Sequence, residues 1–181
     1  QSIDHEEKVI YLGTFSKSIA PSLRISYMVL PLHLLKKYQE SCSFYSTTVS
    51  KIQQEVLREF IRGGYFGRHL NKMRGIYKNK HDFLVGELKK KNWVENIAGD
   101  NAGLHVLVQV NTTLTEEEIC KKAAECGIRL MGIREHYIHT PPEGRPVLLL
   151  GYGKPDEQEI QKGLEVLESI VLENRIPLPL R

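Results

Sequence analysis

Lys17 and Arg24 stand seven residues apart in a stretch, GTFSKSIAPSLRISYMVLP (13–31), that is otherwise built from apolar and small hydroxyl residues. A lysine amine adds to a carbonyl only in its neutral form, so its reference pKa of about 10.4 must be lowered by burial or by a neighbouring cation. An arginine grips a phosphate with two parallel N–H donors. Thr14, Ser16 and Ser18 add hydroxyls small enough to donate to that phosphate without crowding it. Together these groups meet the requirements of pyridoxal phosphate (PLP), an aldehyde with a phosphate, which supplies an electron sink while the protein positions it. The same residues also suit a surface lysine in a loop and an arginine that caps a strand. Spacing alone leaves both readings open.

The elements around the pair follow from periodicity. Residues 9–12 (VIYL) form a β-rich apolar run ended by Gly13, and residues 23–30 a second, with Pro21 before it and Pro31 closing it. Both read as buried strands, with the lysine in the tight turn between them. A short helix is expected over 32–40. Another over 50–61 carries Ile52, Val56, Leu57, Phe60 and Ile61 on one side and stops at Gly63-Gly64. The longest spans about 66–90, with an apolar stripe of Phe66, Leu70, Met73, Tyr77, Leu84 and Leu88.

After Lys91 the order becomes strand (103–110), helix (115–126), strand (128–133), strand (147–152), helix (155–172). Thr115 and Glu118 form a capping-box signature and Gly127 ends that helix. Ile160, Leu164, Leu167 and Val171 should face inward on the last one. This is an α+β unit. Two strands with continuous apolar faces do not make a stable sheet alone, so the first half reads as the end of a larger sheet, and the chain as the C-terminal part of a longer protein. The expected division is 1–45 for that sheet remnant, 46–91 for connecting helices, 92–175 for the small α+β domain and 176–181 for an extended tail.

The chain has 181 residues, 41% hydrophobic and 26% charged, as in ordinary globular proteins. A net charge of +3 is too small to imply nucleic acid. The basic residues between Arg62 and Lys91 are spread around the expected helix and read as a solvated face. Cys42, Cys120 and Cys126 have no metal-ligand spacing, which favours free thiols, a reducing compartment and no metal. No apolar run approaches the length of a membrane span, and residues 1–8 are too polar for a signal peptide.

The wording of these segments adds a resemblance. TFSKSIAPSLRISYMVLP (14–31) resembles the cofactor-lysine segment of fold-type I PLP aminotransferases. Within them it is similar to the branch with seven residues from lysine to arginine, the aminoadipate/kynurenine aminotransferases and the MocR/GabR transcriptional regulators. Residues 46–88 resemble the connecting helices of that branch, with Arg68-His69 and Met73-Arg74 at matching places. Gly103-Leu104-His105 within AGLHVLV is the MocR-like form, where free-standing aminotransferases tend to have Gly-Gly-Met/Phe-Phe, and LLLGYG (148–153) before an acidic helix is similar to that form too. The resemblance runs through residue 172.

By that resemblance the fold is the C-terminal part of an aspartate-aminotransferase-like PLP transferase: the end of the large-domain sheet, long connecting helices and a small α+β domain. Lys17 is then the Schiff-base lysine, Arg24 a phosphate ligand, and Thr14 and Ser16 lie at or near the phosphate. The family usually has glycine where this chain has Ser26, a residue still small enough to fit. The acidic residue on the pyridine nitrogen, the ring-stacking group and part of the phosphate cup are expected upstream of Gln1. The arginine for the substrate carboxylate is missing from its usual strand, where Leu149 stands, which leaves Arg134 (in MGIREHYI) and Arg145 (in PPEGRP), with Arg134 preferred. His105 reads as a structural histidine on a half-buried strand.

The resemblance implies a cytoplasmic, dimeric effector domain that senses PLP and an amino compound, with DNA read by an N-terminal domain outside this chain. The competing readings are the C-terminal part of an aminotransferase and an inert scaffold. In isolation, the 181 residues are expected to bind PLP weakly or not at all and to cover their apolar faces by self-association.

Overall fold

The computed structural model describes residue 4 and residues 6–99, 103–140 and 143–174; the expected tail at 176–181 lies outside them. Two compact units divide the chain at Arg74/Gly75.

The first unit holds an antiparallel pair, β1 (Tyr11–Thr14) and β2 (Ser26–Val29), in register from Tyr11↔Val29 to Thr14↔Ser26. Gly13 is needed in this pair because the ring of its partner Tyr27 lies over it. A Cβ at position 13 would come within 2.3 Å of Tyr27 Cζ. Tyr27 packs on Phe15 (centroids 5.1 Å apart), and Phe15 packs edge-on to Phe66 at 5.9 Å. Helix α1 (Leu32–Cys42) follows Pro31, whose fixed φ suits a helix entry. Helix α2 (Lys51–Arg62) starts at Ser50, whose Oγ accepts the Ile52 N–H at 3.2 Å. Gly64 takes a left-handed φ of 73° in the turn to α3 (Tyr65–Lys89), the helix that contains the boundary between units.

Two expectations are corrected here. The first strand is shifted two residues along and is not buried: Val9, Ile10 and Leu12 are exposed, Leu12 by 78%. The side of α2 expected to face inward is exposed as well, with Ile52 at 77% and Val56 at 65%. A two-stranded ladder offers no second layer to cover such faces. Ile25 is the buried hydrophobic residue of the β1–β2 connection.

The second unit is a four-stranded antiparallel sheet in the order β3-β4-β6-β5: β3 (Val94–Ala98), β4 (His105–Val110), β5 (Met131–Gly132) and β6 (Val147–Gly151). Alternation turns Val106, Val108 and Val110 of β4 and Leu148 and Leu150 of β6 to one face. Against that face pack Ile119 and Ala123 of α4 (Glu116–Glu125) and Ile160, Leu164, Leu167, Ile170 and Val171 of α5 (Glu157–Leu172). Leu84, Val85 and Leu88 from the end of α3 complete the core with Trp93. Each such Leu, Ile or Val contributes about 1.5–3 kcal/mol by leaving water.

Both α4 and α5 begin with a full capping box: Thr115 with Glu118, as expected, and Asp156 with Glu159, which the sequence reading did not single out. Strand β3 was likewise missed. Its pattern is interrupted, with a register irregularity between Val94 and Asn96. The expected strand 128–133 shrinks to Met131–Gly132. Ile128 is still tied to the end of α4 through Ala123, and Ile133 already turns into a short 3-10 segment, Arg134–His136. β4 is half-buried, as expected, and His105 is exposed at its start.

Candidate functional site

In the first unit, β1 and β2 are joined by a loop whose ends are tied together. The Phe15 N–H donates to Ile25 O at 2.9 Å, so Ser16 to Arg24 form a closed loop carrying both Lys17 and Arg24. Thr14 holds the neck of that loop. Its hydroxyl donates to Ile25 O at 3.2 Å and accepts the Ser16 N–H at 3.2 Å. Within the loop the Ile19 N–H returns to Phe15 O at 2.8 Å and the Ser18 hydroxyl to Thr14 O at 3.3 Å. Pro21–Leu23 then make a 3-10 turn, and Arg24 ends it with φ 51° and ψ 34°. A left-handed conformation outside glycine costs about 1–2 kcal/mol, and such outliers cluster where function needs them.

The side chains divide by role. Lys17 and Arg24 are both exposed, and neither has an acidic partner among the described residues. Thr14 and Ser18 have their protons committed to backbone carbonyls, whereas the Ser16 hydroxyl has no partner among the described residues. Two cations without acidic partners and a hydroxyl thus stand on one closed loop. Their chemistry is of the kind PLP needs: a guanidinium and a hydroxyl for its phosphate and an amine for its carbonyl. Thr14 acts by shaping the loop.

The second unit carries the two arginines considered for a carboxylate. Arg134 is 45% exposed at its side chain and begins the short 3-10 segment. Its backbone N–H donates to Glu116 Oε2 at 2.8 Å, and its Nε lies 3.9 Å from Glu116 Oε1. Nη2 reaches Gly144 O at 3.4 Å. Arg145 is ion-paired with Glu95, so its charge is already balanced. Leu149, where the family's usual arginine would stand, sits between Leu107 and Met131 across the sheet.

Glu116 was not singled out from the sequence. It is one of three consecutive glutamates after the Thr115 cap, and nothing in the string separates the buried one from its neighbours.

The strings GLH and GYG meet in this same unit and explain each other. The Tyr152 hydroxyl donates to Gly103 O at 2.8 Å, and the Tyr152 N–H to Leu104 O at 2.9 Å. The side chain of Leu104 lies over Gly153, where a Cβ would come 3.3 Å from Leu104 Cδ1. His81 packs edge-on to the Tyr152 ring at 5.6 Å, and Lys80 Nζ donates to the carbonyls of Gly153 and Lys154. Burial pushes the Tyr152 phenol above its ordinary range, which keeps it protonated as a donor. These two strings are a structural lock.

Comparison with known proteins gives the fold its family. A family model described as aminotransferase class I and II matches residues 1–160. The chain belongs to the class I and II aminotransferase family. PLP is the cofactor of that family. This aminotransferase-like chain is 38% identical over 170 residues to the uncharacterized HTH-type transcriptional regulator YdeL of Bacillus subtilis, covering 93% of the chain and 36% of that protein. To the probable rhizopine catabolism regulatory protein MocR of Rhizobium meliloti it is 30% identical over 184 residues, 99% of the chain and 37% of MocR. The chain therefore spans little more than a third of the length of these regulators.

Among solved structures, the aminotransferase-like chain superposes on the kynurenine aminotransferase of Pyrococcus horikoshii with a TM-score of 0.75 at 26% identity. The match covers 95% of this chain and 42% of that one, which was crystallised with PMP and kynurenine. The fold is that of the fold-type I PLP-dependent aminotransferases. Among the described residues there is no helix long and apolar enough to cross a membrane, no group of side chains suited to a metal, and all three cysteines are free thiols.

Proposed function

We propose that this chain is part of the PLP-binding, aminotransferase-like effector domain of a MocR/GabR-type transcriptional regulator, and that it senses PLP together with an amino compound. The observation that carries the reading is the closed loop with its two unbalanced cations, set in a chain 38% identical to an HTH-type regulator across 93% of its length. Bound there, PLP supplies an electron sink and an electrophilic carbon.

The chain's own residues would do the following. Lys17 provides the amine that bonds to the cofactor carbonyl. Arg24 holds the phosphate by a bidentate fork, with the Ser16 hydroxyl as a further donor and Thr14 fixing the loop. Arg134 receives the effector's carboxylate. It is preferred over Arg145 because MGIREHYI resembles a segment that faces the site in GabR-like proteins. The residues 1–45, 46–91 and 92–175 would then serve as large-domain remnant, connecting helices and small domain. DNA would be read by an N-terminal helix-turn-helix domain in a cytoplasmic homodimer.

The alternative is the C-terminal part of an aminotransferase of the aminoadipate/kynurenine kind, supported by the 26% identity to the kynurenine enzyme. The test uses the full-length protein with a DNA fragment from its own promoter. Under the regulator reading, amino compounds shift its DNA affinity in the presence of PLP, and steady transamination is absent. Sustained transamination by a protein that ignores promoter DNA would replace this reading with the enzyme.

A further inference from the structure

Glu116 is one of three buried polar or charged residues among the described ones, at 5% exposure, and its carboxylate accepts two backbone N–H groups, with the Arg134 Nε 3.9 Å from Oε1. Oε2 accepts the N–H of Arg134 at 2.8 Å, and Oε1 accepts the N–H of Val147 at 2.9 Å. One carboxylate thus pins the first residue of β6 and the residue that leaves β5 for the 3-10 turn, joining both to the start of α4. A carboxylate taken away from water needs hydrogen-bond donors in its place.

Gly132 is the second half of the device. A Cβ at position 132 would lie 2.3 Å from Glu116 Oε2 and 2.7 Å from Glu116 Cβ. No side chain fits there unless the Glu116 side chain moves from its Cβ outward. Two residues further on stands Arg134.

We infer that Glu116 and Gly132 are positioning residues that set the place of Arg134, and through it the recognition of an effector or substrate carboxylate. The inference rests on the reading of Arg134 as the carboxylate-binding residue. Glutamates in the first turn of a helix are ordinarily solvated and interact with the helix end. Here the side chain instead turns under the sheet edge, and its partner position has no room for a Cβ. The lever is geometric: moving the Arg134 backbone displaces the end of its long side chain, and a misplacement of about 1 Å can cost about 100-fold where groups must be held in one geometry.

The experiment uses the full-length protein loaded with PLP and a pair of probes, an amino acid ligand and the amine it becomes when its carboxylate is removed. Binding is read from the change in cofactor absorption. Arg134→Gln tests the underlying reading: it should abolish the preference for the carboxylate-bearing probe. If that preference is unchanged in Arg134→Gln, the role of Arg134 is wrong. Gly132→Ala, which adds no charge, should weaken the amino acid probe by about 10-fold or more and leave the amine within twofold. Glu116→Gln puts an N–H donor against one of the two backbone N–H groups and should have the same selective effect.

A merely structural role predicts equal loss for both probes. Selectivity lost in Arg134→Gln but intact in folded Gly132→Ala and Glu116→Gln would overturn the positioning role alone. Should Glu116→Gln fail to fold, the ratio of the two probe affinities in Gly132→Ala decides the matter.

Discussion

Glu168→Ala should destabilise the second unit by about 3 kcal/mol. Glu168 lies on α5 and accepts two donors from the α3–β3 turn: Lys91 Nζ at 2.8 Å on Oε2 and the Trp93 indole N–H at 3.1 Å on Oε1. Trp93 is fully buried with Glu168 in place, so losing the carboxylate takes away the only protein acceptor its N–H has among the described residues. An orphaned buried donor costs about 1–3 kcal/mol. Lys91 loses a charge-assisted bond at a side chain only 16% exposed, but water reaches Glu168 at 29%, which limits that share to about 1 kcal/mol.

The assay is urea unfolding of wild type and variant by far-UV circular dichroism, with Trp93, the only tryptophan, as an independent fluorescent probe. In a Trp93→Phe background the same Glu168→Ala change should cost about 1–3 kcal/mol less, because the orphaned donor is absent. The effect also has a pH signature. The Lys91 hydrogen bond, helped by that of Trp93, holds the Glu168 carboxyl below its ordinary 4.5 against the opposing pull of burial. A carboxyl depressed in the folded state stabilises fully above the unfolded pKa, and loses that contribution as pH falls through the folded one. The gap between wild type and Glu168→Ala should therefore be constant near neutrality and shrink in acid. A loss under about 1 kcal/mol, or no coupling to Trp93, refutes the bookkeeping.

Two further outcomes follow from the loop and the lock. Thr14→Val keeps the side chain's shape but removes both neck hydrogen bonds, worth about 1 kcal/mol together at an exposed site; trypsin should cut after Lys17 several-fold faster, and Thr14→Ser should not change the rate. Tyr152→Phe removes a buried bond to Gly103 O and should lower stability by about 1 kcal/mol in urea, with a value near zero showing that the lock rests on ring packing alone.

The second unit was legible because its elements satisfy the usual periodicities with their own partners. Alternation in 103–110 and the spacing of Ile160, Leu164 and Leu167 both pointed at residues that are buried. β3 escaped because Glu95 and Asn96 interrupt its apolar pattern, and β5 was overdrawn because Ile128 and Ile133 serve turns instead of a ladder. In the first unit the apolar runs were located, but burial did not follow: periodicity says which side is apolar and not what lies against it. Lys17 and Arg24 stand out by type and spacing, which leave their role open. Thr14's place at the neck and the left-handed turn at Arg24 were not readable, since both depend on pairing between β1 and β2. Glu116 shows the same limit, as its burial depends on a glycine sixteen residues away.

The central claim is that Lys17 is the residue to which PLP attaches. It is tested by incubating the full-length protein with PLP, reducing with borohydride, and locating the added mass by peptide mass spectrometry. The account predicts a pyridoxyl group on the peptide containing Lys17, and its loss with the accompanying visible absorption in Lys17→Ala. A modified lysine elsewhere, or full cofactor absorption retained in Lys17→Ala, would contradict it.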